Sequence, residues 1–177
     1  HKVSVEAMNK GKGKYVVNYA ESVPMGKWIK DKKWIEIRQT QWAIAMAGCN
    51  QMSFGMWNTV QKAEPSDGML KSMRVLQDYM ESIPDVNDMW TQDNLKYGET
   101  KYVLANQKKS FIAYSDNLKN EMGIKGMLSG QYELKWINAI SGQVNTTTAS
   151  VKAGDNKFKP PAGMEGEIAV WIKNMEG

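Results

Sequence analysis

Apolar positions follow three different rhythms along this chain, and each rhythm predicts a different kind of element. Up to about residue 60, short apolar runs bracket one helical stripe. After the loop signal Gly11-Lys12-Gly13, residues Tyr15 to Tyr19 make a short β-branched and aromatic run that predicts a buried strand, closing at the carboxylate of Glu21. The stretch from Glu21 to Lys33, with Pro24, Gly26 and charges of alternating sign, reads as a long loop. From Trp34 to Ala47, the residues Trp34, Ile35, Ile37, Trp42, Ile44, Ala45 and Met46 fall at helical spacing, and Gly48 supplies a stop signal. Met52 to Trp57 then reads as a second short strand. Strand, loop, helix and strand make a βαβ unit, whose crossover is expected to be right-handed.

The second rhythm is purely helical. Ser66-Asp67-Gly68 offers an N-cap, and Met69, Leu70, Met73, Leu76, Tyr79 and Met80 lie on one stripe that ends before Pro84. Methionine on such a stripe fills a core, so this helix is expected to cover the outside of the preceding unit. From about Met89 the rhythm changes to short runs separated by Gly, Asn, Asp and Pro. Tyr102 to Ala105, Ser110 to Ser115, Tyr132 to Ile137, Asn145 to Val151 and Ile168 to Ile172 are strand candidates with no helix between them, which argues for an antiparallel β-sandwich. In Tyr132 to Ile137 the alternation sets Tyr132, Leu134 and Trp136 on one face and Glu133 and Lys135 on the other.

A strand that ends by presenting one Glu, followed by a helix and a second strand, is the way a (β/α)₈ barrel sets an acid on its C-terminal face. The expected fold class is therefore α/β plus all-β. Residues 1–88 are read as the C-terminal portion of a TIM (β/α)₈ barrel and residues 89–177 as a β-sandwich. A complete barrel takes roughly 200 residues or more. Parallel strands with continuous apolar runs also need both faces covered, so the N-terminal remainder of the barrel is expected as a partner, in the same protein or as a separate chain.

Composition narrows the chemistry. At 42% hydrophobic and 24% charged residues the chain can bury a core. No apolar run approaches the roughly 18 residues of a membrane span. The N-terminus lacks the basic-then-apolar order of a signal peptide, so a targeting segment is expected to have been removed or to lie upstream. The single cysteine, Cys49, excludes an internal disulfide and sits in an apolar context that suits a buried, inert thiol. The net charge of +4 comes from lysines that are scattered singly or in short groups (Lys10, Lys12, Lys14; Lys30, Lys32, Lys33; Lys108, Lys109). Nucleic-acid binding asks for a denser cluster. A solvated surface is the better reading of the excess, which an anionic polysaccharide would also fit.

Other reaction classes lack their residues. The one histidine is His1, so neither a Ser/His triad nor a His-bearing zinc site can be built from the chain. Gly11-Lys12-Gly13 precedes a strand, where a phosphate loop would follow one. Asp85, Asp88 and Asp93 lack the twelve-residue loop of a calcium site and read as a surface turn. No metal and no cofactor is expected.

One family shares this order of motifs. Asn18-Tyr19-Ala20-Glu21 after a strand, Arg38-Gln39-Thr40-Gln41-Trp42-Ala43 opening a helix, Ala47-Gly48 closing it, and Phe54-Gly55-Met56-Trp57 on the next strand resemble the last third of the barrel in apiosidase-like glycoside hydrolases. Trp136 to Gly142, Phe158-Lys159-Pro160-Pro161 and Ile168 to Ile172 are similar to that family's C-terminal β-sandwich, often labelled a collagen-binding domain. The chain departs from the pattern in two places: Asn138-Ala139-Ile140-Ser141 stands where an Asp-Pro-Arg-like turn is usual, and Glu165-Gly166-Glu167 where an Asp-Trp pair is usual.

The resemblance implies a secreted or periplasmic enzyme acting on a polysaccharide or oligosaccharide. Glycoside cleavage needs two carboxylates. Glu21 would be the nucleophile of a retaining mechanism, with the partner acid supplied by an earlier barrel strand outside this chain. Trp57 would offer a ring face for a sugar to stack on, Asn18 and Asn58 would bond its hydroxyls, and Trp28 would be a second platform. The alternative is a noncatalytic carbohydrate-binding or structural module.

Overall fold

The structure, a computed structural model, describes residues 1–11, 14, 17–19, 33–51, 67–106 and 109–176. The chain divides into two compact units, His1–Leu76 and Gln77–Gly177. In the first, helix α1 (Lys2–Gly11) is followed by strand β1 (Asn18–Tyr19), helix α2 (Trp34–Ala45) and strand β2 (Asn50–Gln51), and helix α3 (Asp67–Glu81) begins near its end.

Helix α2 forms where the apolar stripe predicts it. Ile37, Trp42 and Ile44 on that stripe are almost fully buried. The helix stops three residues before Gly48, whose φ of 78° lies in the left-handed region that a side chain resists. Directly after it, Ile44, Ala47 and Cys49 form a small core with Val5 and Met8 of α1 and Val17. That core brings the chain back to pair β2 with β1. The two strands are parallel, with Asn18 opposite Asn50 and Tyr19 opposite Gln51.

The barrel expectation does not hold. Among the described residues the parallel element is this one pair of two-residue strands, and the fold is otherwise mostly antiparallel sheet with three short helices. The reason is physical: a strand–helix–strand pattern specifies that two strands lie side by side. Barrel closure requires a strand number, tilt and stagger that agree around a whole ring, and no local pattern encodes that. The strand expected over Met52 to Trp57 lies outside the described residues, and the described strand is Asn50–Gln51 just before it.

The second unit holds two antiparallel sheets. One has six strands in the order β3 (Trp90–Thr91), β5 (Tyr102–Asn106), β6 (Ser110–Leu118), β11 (Gly166–Asn174), β8 (Gly130–Asn138) and β9 (Val144–Val151). The other has three, β10 (Gly154–Phe158), β7 (Met122–Met127) and β4 (Lys96–Gly98). Short 3₁₀ turns at Val86–Asp88 and Asp93–Leu95 flank β3.

A shared core fills the space between the sheets. Phe111, Tyr132, Leu134, Trp136, Ile168, Val170 and Ile172 from the large sheet meet Met122, Ile124, Met127 and Phe158 from the small one. The alternation in β8 is as the sequence requires: Tyr132 and Trp136 are fully buried, and the Trp136 indole donates to Thr147 Oγ1 at 3.1 Å. Strand β11 is buried on both faces because it is central. Ile168, Val170 and Ile172 enter the inter-sheet core, while Glu167, Ala169 and Trp171 point the other way and are also buried. On that second face the Tyr79 hydroxyl donates to the Lys135 carbonyl at 3.2 Å, and the Trp171 indole donates to Ser110 Oγ at 2.8 Å.

Candidate functional site

Of the residues singled out from the sequence, Asn18 is described. It is exposed on β1, beside Asn50 in the register of the parallel pair. Glu21, Trp28, Trp57 and Asn58 lie outside the described residues. The two strands run parallel, so Tyr19 and Gln51 stand at the same end of the pair. Glu21 follows β1 by two positions in sequence, and Trp57 and Asn58 follow β2 by six and seven.

The best-organised polar group among the described residues is one the sequence reading passed over. Where β5 begins, β6 ends and β11 begins, Lys101, Tyr102, Tyr114, Asp116 and Glu167 converge. Glu167 is 3% exposed, and its carboxylate accepts a hydrogen bond from the Tyr114 hydroxyl at 2.9 Å. The Tyr102 and Tyr114 rings stack with centroids 6.0 Å apart, because the two residues are directly paired across the strands. Lys101 forms a salt bridge with Asp116.

Electrostatics tie these groups together. Burial works against the charged form of Lys101, but the hydrogen bond it donates to Asp116 and the negative charge of Asp116 and Glu167 outweigh it, leaving the ammonium above its usual value. Burial raises the Tyr102 hydroxyl as well, against the opposing pull of Lys101. A buried carboxylate is costly unless it is hydrogen-bonded, and here it meets a hydroxyl with a cation nearby. The arrangement fastens three strand ends. It does not present two facing carboxyls to an open site.

The aspartates near residue 90 also have protein donors. Asp85 Oδ1 accepts from Ser110 Oγ at 3.3 Å, and Asp93 Oδ1 accepts from the Val103 amide at 2.9 Å. No group of three or more His, Cys, Asp or Glu side chains suited to a metal ion occurs among the described residues. Cys49 is buried, and burial pushes its thiol up to about 11, well away from nucleophilic use at neutral pH.

Solved structures share this fold, two of them described as glycoside hydrolases. One, described as a glycoside hydrolase, superposes with a TM-score of 0.61 at 11% sequence identity, over 81% of this chain and 37% of that one. The other, a glycoside hydrolase family 5 protein from Bacteroides vulgatus ATCC 8482, gives a TM-score of 0.61 at 10% identity over the same shares. The chain thus spans little more than a third of the length of these structures, and at such identity the likeness is one of fold. Neither description carries the apiosidase-like or collagen-binding label. No protein-family profile matches the sequence, and no curated protein does.

The signal for the Glu167 cluster was present in the sequence but ambiguous. Glu167 keeps the alternation of β11 on the face of Ala169 and Trp171, and a charge in that register is either an edge residue or a buried one with a donor. Only the pairing of β11 with β6 and β8 decides between them.

Proposed function

We propose that this chain is part of a glycoside hydrolase, cleaving glycosidic bonds in a polysaccharide or oligosaccharide outside the cytoplasm, with Glu21 as the nucleophile. The observation that carries the reading is the parallel pairing of Asn18–Tyr19 with Asn50–Gln51, two strands that Glu21 and Trp57 follow in sequence. The fold likeness to two glycoside hydrolases supports it.

In this reading the Glu21 carboxylate attacks the anomeric carbon as the glycosidic C–O bond breaks, and a second carboxylic acid protonates the leaving oxygen. Water then attacks the glycosyl ester, now deprotonated by the same second group, and releases sugar with its configuration retained. The two carboxyls of such a pair stand about 5–5.5 Å apart. The partner acid comes from polypeptide outside this chain, consistent with the 37% of each neighbour that the chain spans. Trp57 stacks on a sugar face, Asn18 and Asn58 bond hydroxyls, and Trp28 extends the platform.

The test is Glu21→Gln in the protein that carries the partner acid. Loss of the nucleophile lowers kcat by about 10³-fold or more. An unchanged kcat rejects the assignment and leaves the noncatalytic reading of the module.

A further inference from the structure

Among the described residues, four strands stand at the margins of the two antiparallel sheets, and three of them are protected. β3 has two residues, β4 has three and begins at Lys96, and β10 carries Asp155 and Lys157 and breaks register between Gly154 and Asn156. Shortness, charge and irregularity are the usual means by which a sheet edge is kept from pairing with another chain. Strand β9 has none of them. Val144-Asn145-Thr146-Thr147-Thr148-Ala149-Ser150-Val151 runs for eight residues without a charge or a proline, and its register with β8 is unbroken along the whole length. No described strand pairs with its other side.

Hydrogen bonds on either side of β8 fix which backbone groups of β9 face outward. The Asn138 amide donates to the Gln143 carbonyl on the β9 side, whereas the Ala139 amide donates to the Glu167 carbonyl and the Met175 amide donates to the Gln131 carbonyl on the β11 side. Even-numbered residues of β8 therefore bond β9, and odd-numbered ones bond β11. Their partners Asn145, Thr147 and Ala149 turn N–H and C=O toward β8, so Val144, Thr146, Thr148 and Ser150 turn theirs to the open margin. All four of these residues are exposed, Val144 by 45%.

We propose that β9 joins two copies of this chain by antiparallel pairing across a two-fold axis, so that their six-stranded sheets become one continuous sheet. A two-fold axis sets each face of the strand against the same face of its copy, and the register that uses all four outward-turned residues is centred on Thr147. Thr146 then lies opposite the second copy's Thr148, and Val144 opposite its Ser150, each pair exchanging two N–H···O bonds. Thr147 meets its own copy on the axis. The charges beside the strand agree with this register. Glu133 is paired with Thr148 and Lys135 with Thr146, so each row across the joint runs Glu133, Thr148, the second copy's Thr146 and its Lys135. Opposite signs stand at the two ends of the row, and like charges face each other nowhere in it. A strand without charge has little with which to select a charged partner, whereas β9 complements itself in length, register and flanking charge.

The test reads association of the full 177-residue chain and holds whether or not Glu21 is a nucleophile. A joint of one strand pair is small, so the dimer is expected to be weak, with Kd on the order of 10–100 μM. In sedimentation equilibrium the average mass is expected to rise with concentration from 20.0 kDa toward twice that value and to stop there, because a two-fold joint closes. Thr148→Pro removes an outward-facing N–H without touching the ladder to β8, and it is expected to hold the chain monomeric. Thr146→Lys combined with Thr148→Lys sets like charges opposite each other and is expected to weaken association at least about tenfold. Thr146→Lys combined with Thr148→Glu sets opposite charges there and is expected to keep the dimer. Thr147→Cys is expected to cross-link two chains on mild oxidation, and Asn145→Cys, held away from its own copy, is not. A chain that stays at 20.0 kDa up to about 1 mM would overturn the proposal and leave the edge to an extended segment of another protein. Growth past two copies, a dimer that survives Thr148→Pro, equal weakening by the two charged combinations, or equal cross-linking through Asn145→Cys and Thr147→Cys would each overturn it as well.

Discussion

Single side chains show where this sequence is firmly constrained. The Tyr114 hydroxyl is a direct donor to the buried Glu167 carboxylate. Tyr114→Phe removes that donor without altering ring volume or the stack on Tyr102, and it is expected to cost about 1–3 kcal/mol in a urea unfolding curve. A change within error would mean that the bond adds nothing to stability. Cys49 makes a second case. Its folded pKa of about 11 stands above the usual 9.0, so the folded state holds its proton more tightly than the unfolded chain does. The associated stability is complete below pH 9.0 and is lost as pH rises toward about 11. Reaction with a thiol reagent at pH 8 is expected to be slow in the native protein and fast in denaturant, and equal rates would contradict the burial. The inert character of Cys49 was legible from its apolar neighbours in sequence. The role of Glu167 was not, because a carboxylate's partner lies on another strand, fifty-three residues away.

Elements were legible in proportion to how far their own composition determined them. Helix α2 and the β8 alternation follow directly from periodicity, with Trp42, Tyr132 and Trp136 in cores as the pattern requires. Strands β7 and β10 carry no such signal. Met122-Gly123-Ile124-Lys125-Gly126-Met127 is too rich in glycine and Gly154-Asp155-Asn156-Lys157-Phe158 too polar to read as strands, yet they pair with each other and complete the second layer. Their strand state is set by the apolar side that Met122, Ile124, Met127 and Phe158 give up to the large sheet, a tertiary effect that overrides local propensity. Gly123 is the hinge of that pairing. Gly123→Ala is expected to destabilise the second unit by about 1–3 kcal/mol, because the Asn156 carbonyl must move to admit a methyl group. Thermal unfolding followed by the near-ultraviolet signal of Trp136 and Trp171 checks this, and an unchanged melting temperature would refute the close approach.

At the scale of the whole molecule, the antiparallel sandwich was readable from strand spacing, whereas the barrel was an extrapolation from a single crossover. One parallel pair, Asn18–Tyr19 with Asn50–Gln51, is compatible with many α/β arrangements, and the fold described here is mostly antiparallel sheet. The functional proposal therefore rests on the fold likeness to glycoside hydrolases and on Glu21 following its strand by two positions in sequence. The most direct measurement is chemical rescue. On the proposed role of Glu21, the Glu21→Ala variant of the protein carrying the partner acid would lack the nucleophile and have space for a small anion beside the anomeric carbon. Activity on an aryl glycoside substrate should then fall by about 10³-fold or more. Added azide, a small anion able to occupy that space, should restore turnover and yield a glycosyl azide of inverted configuration. Full activity without azide, or a loss that azide does not repair while the fold is intact, would contradict Glu21 as the nucleophile.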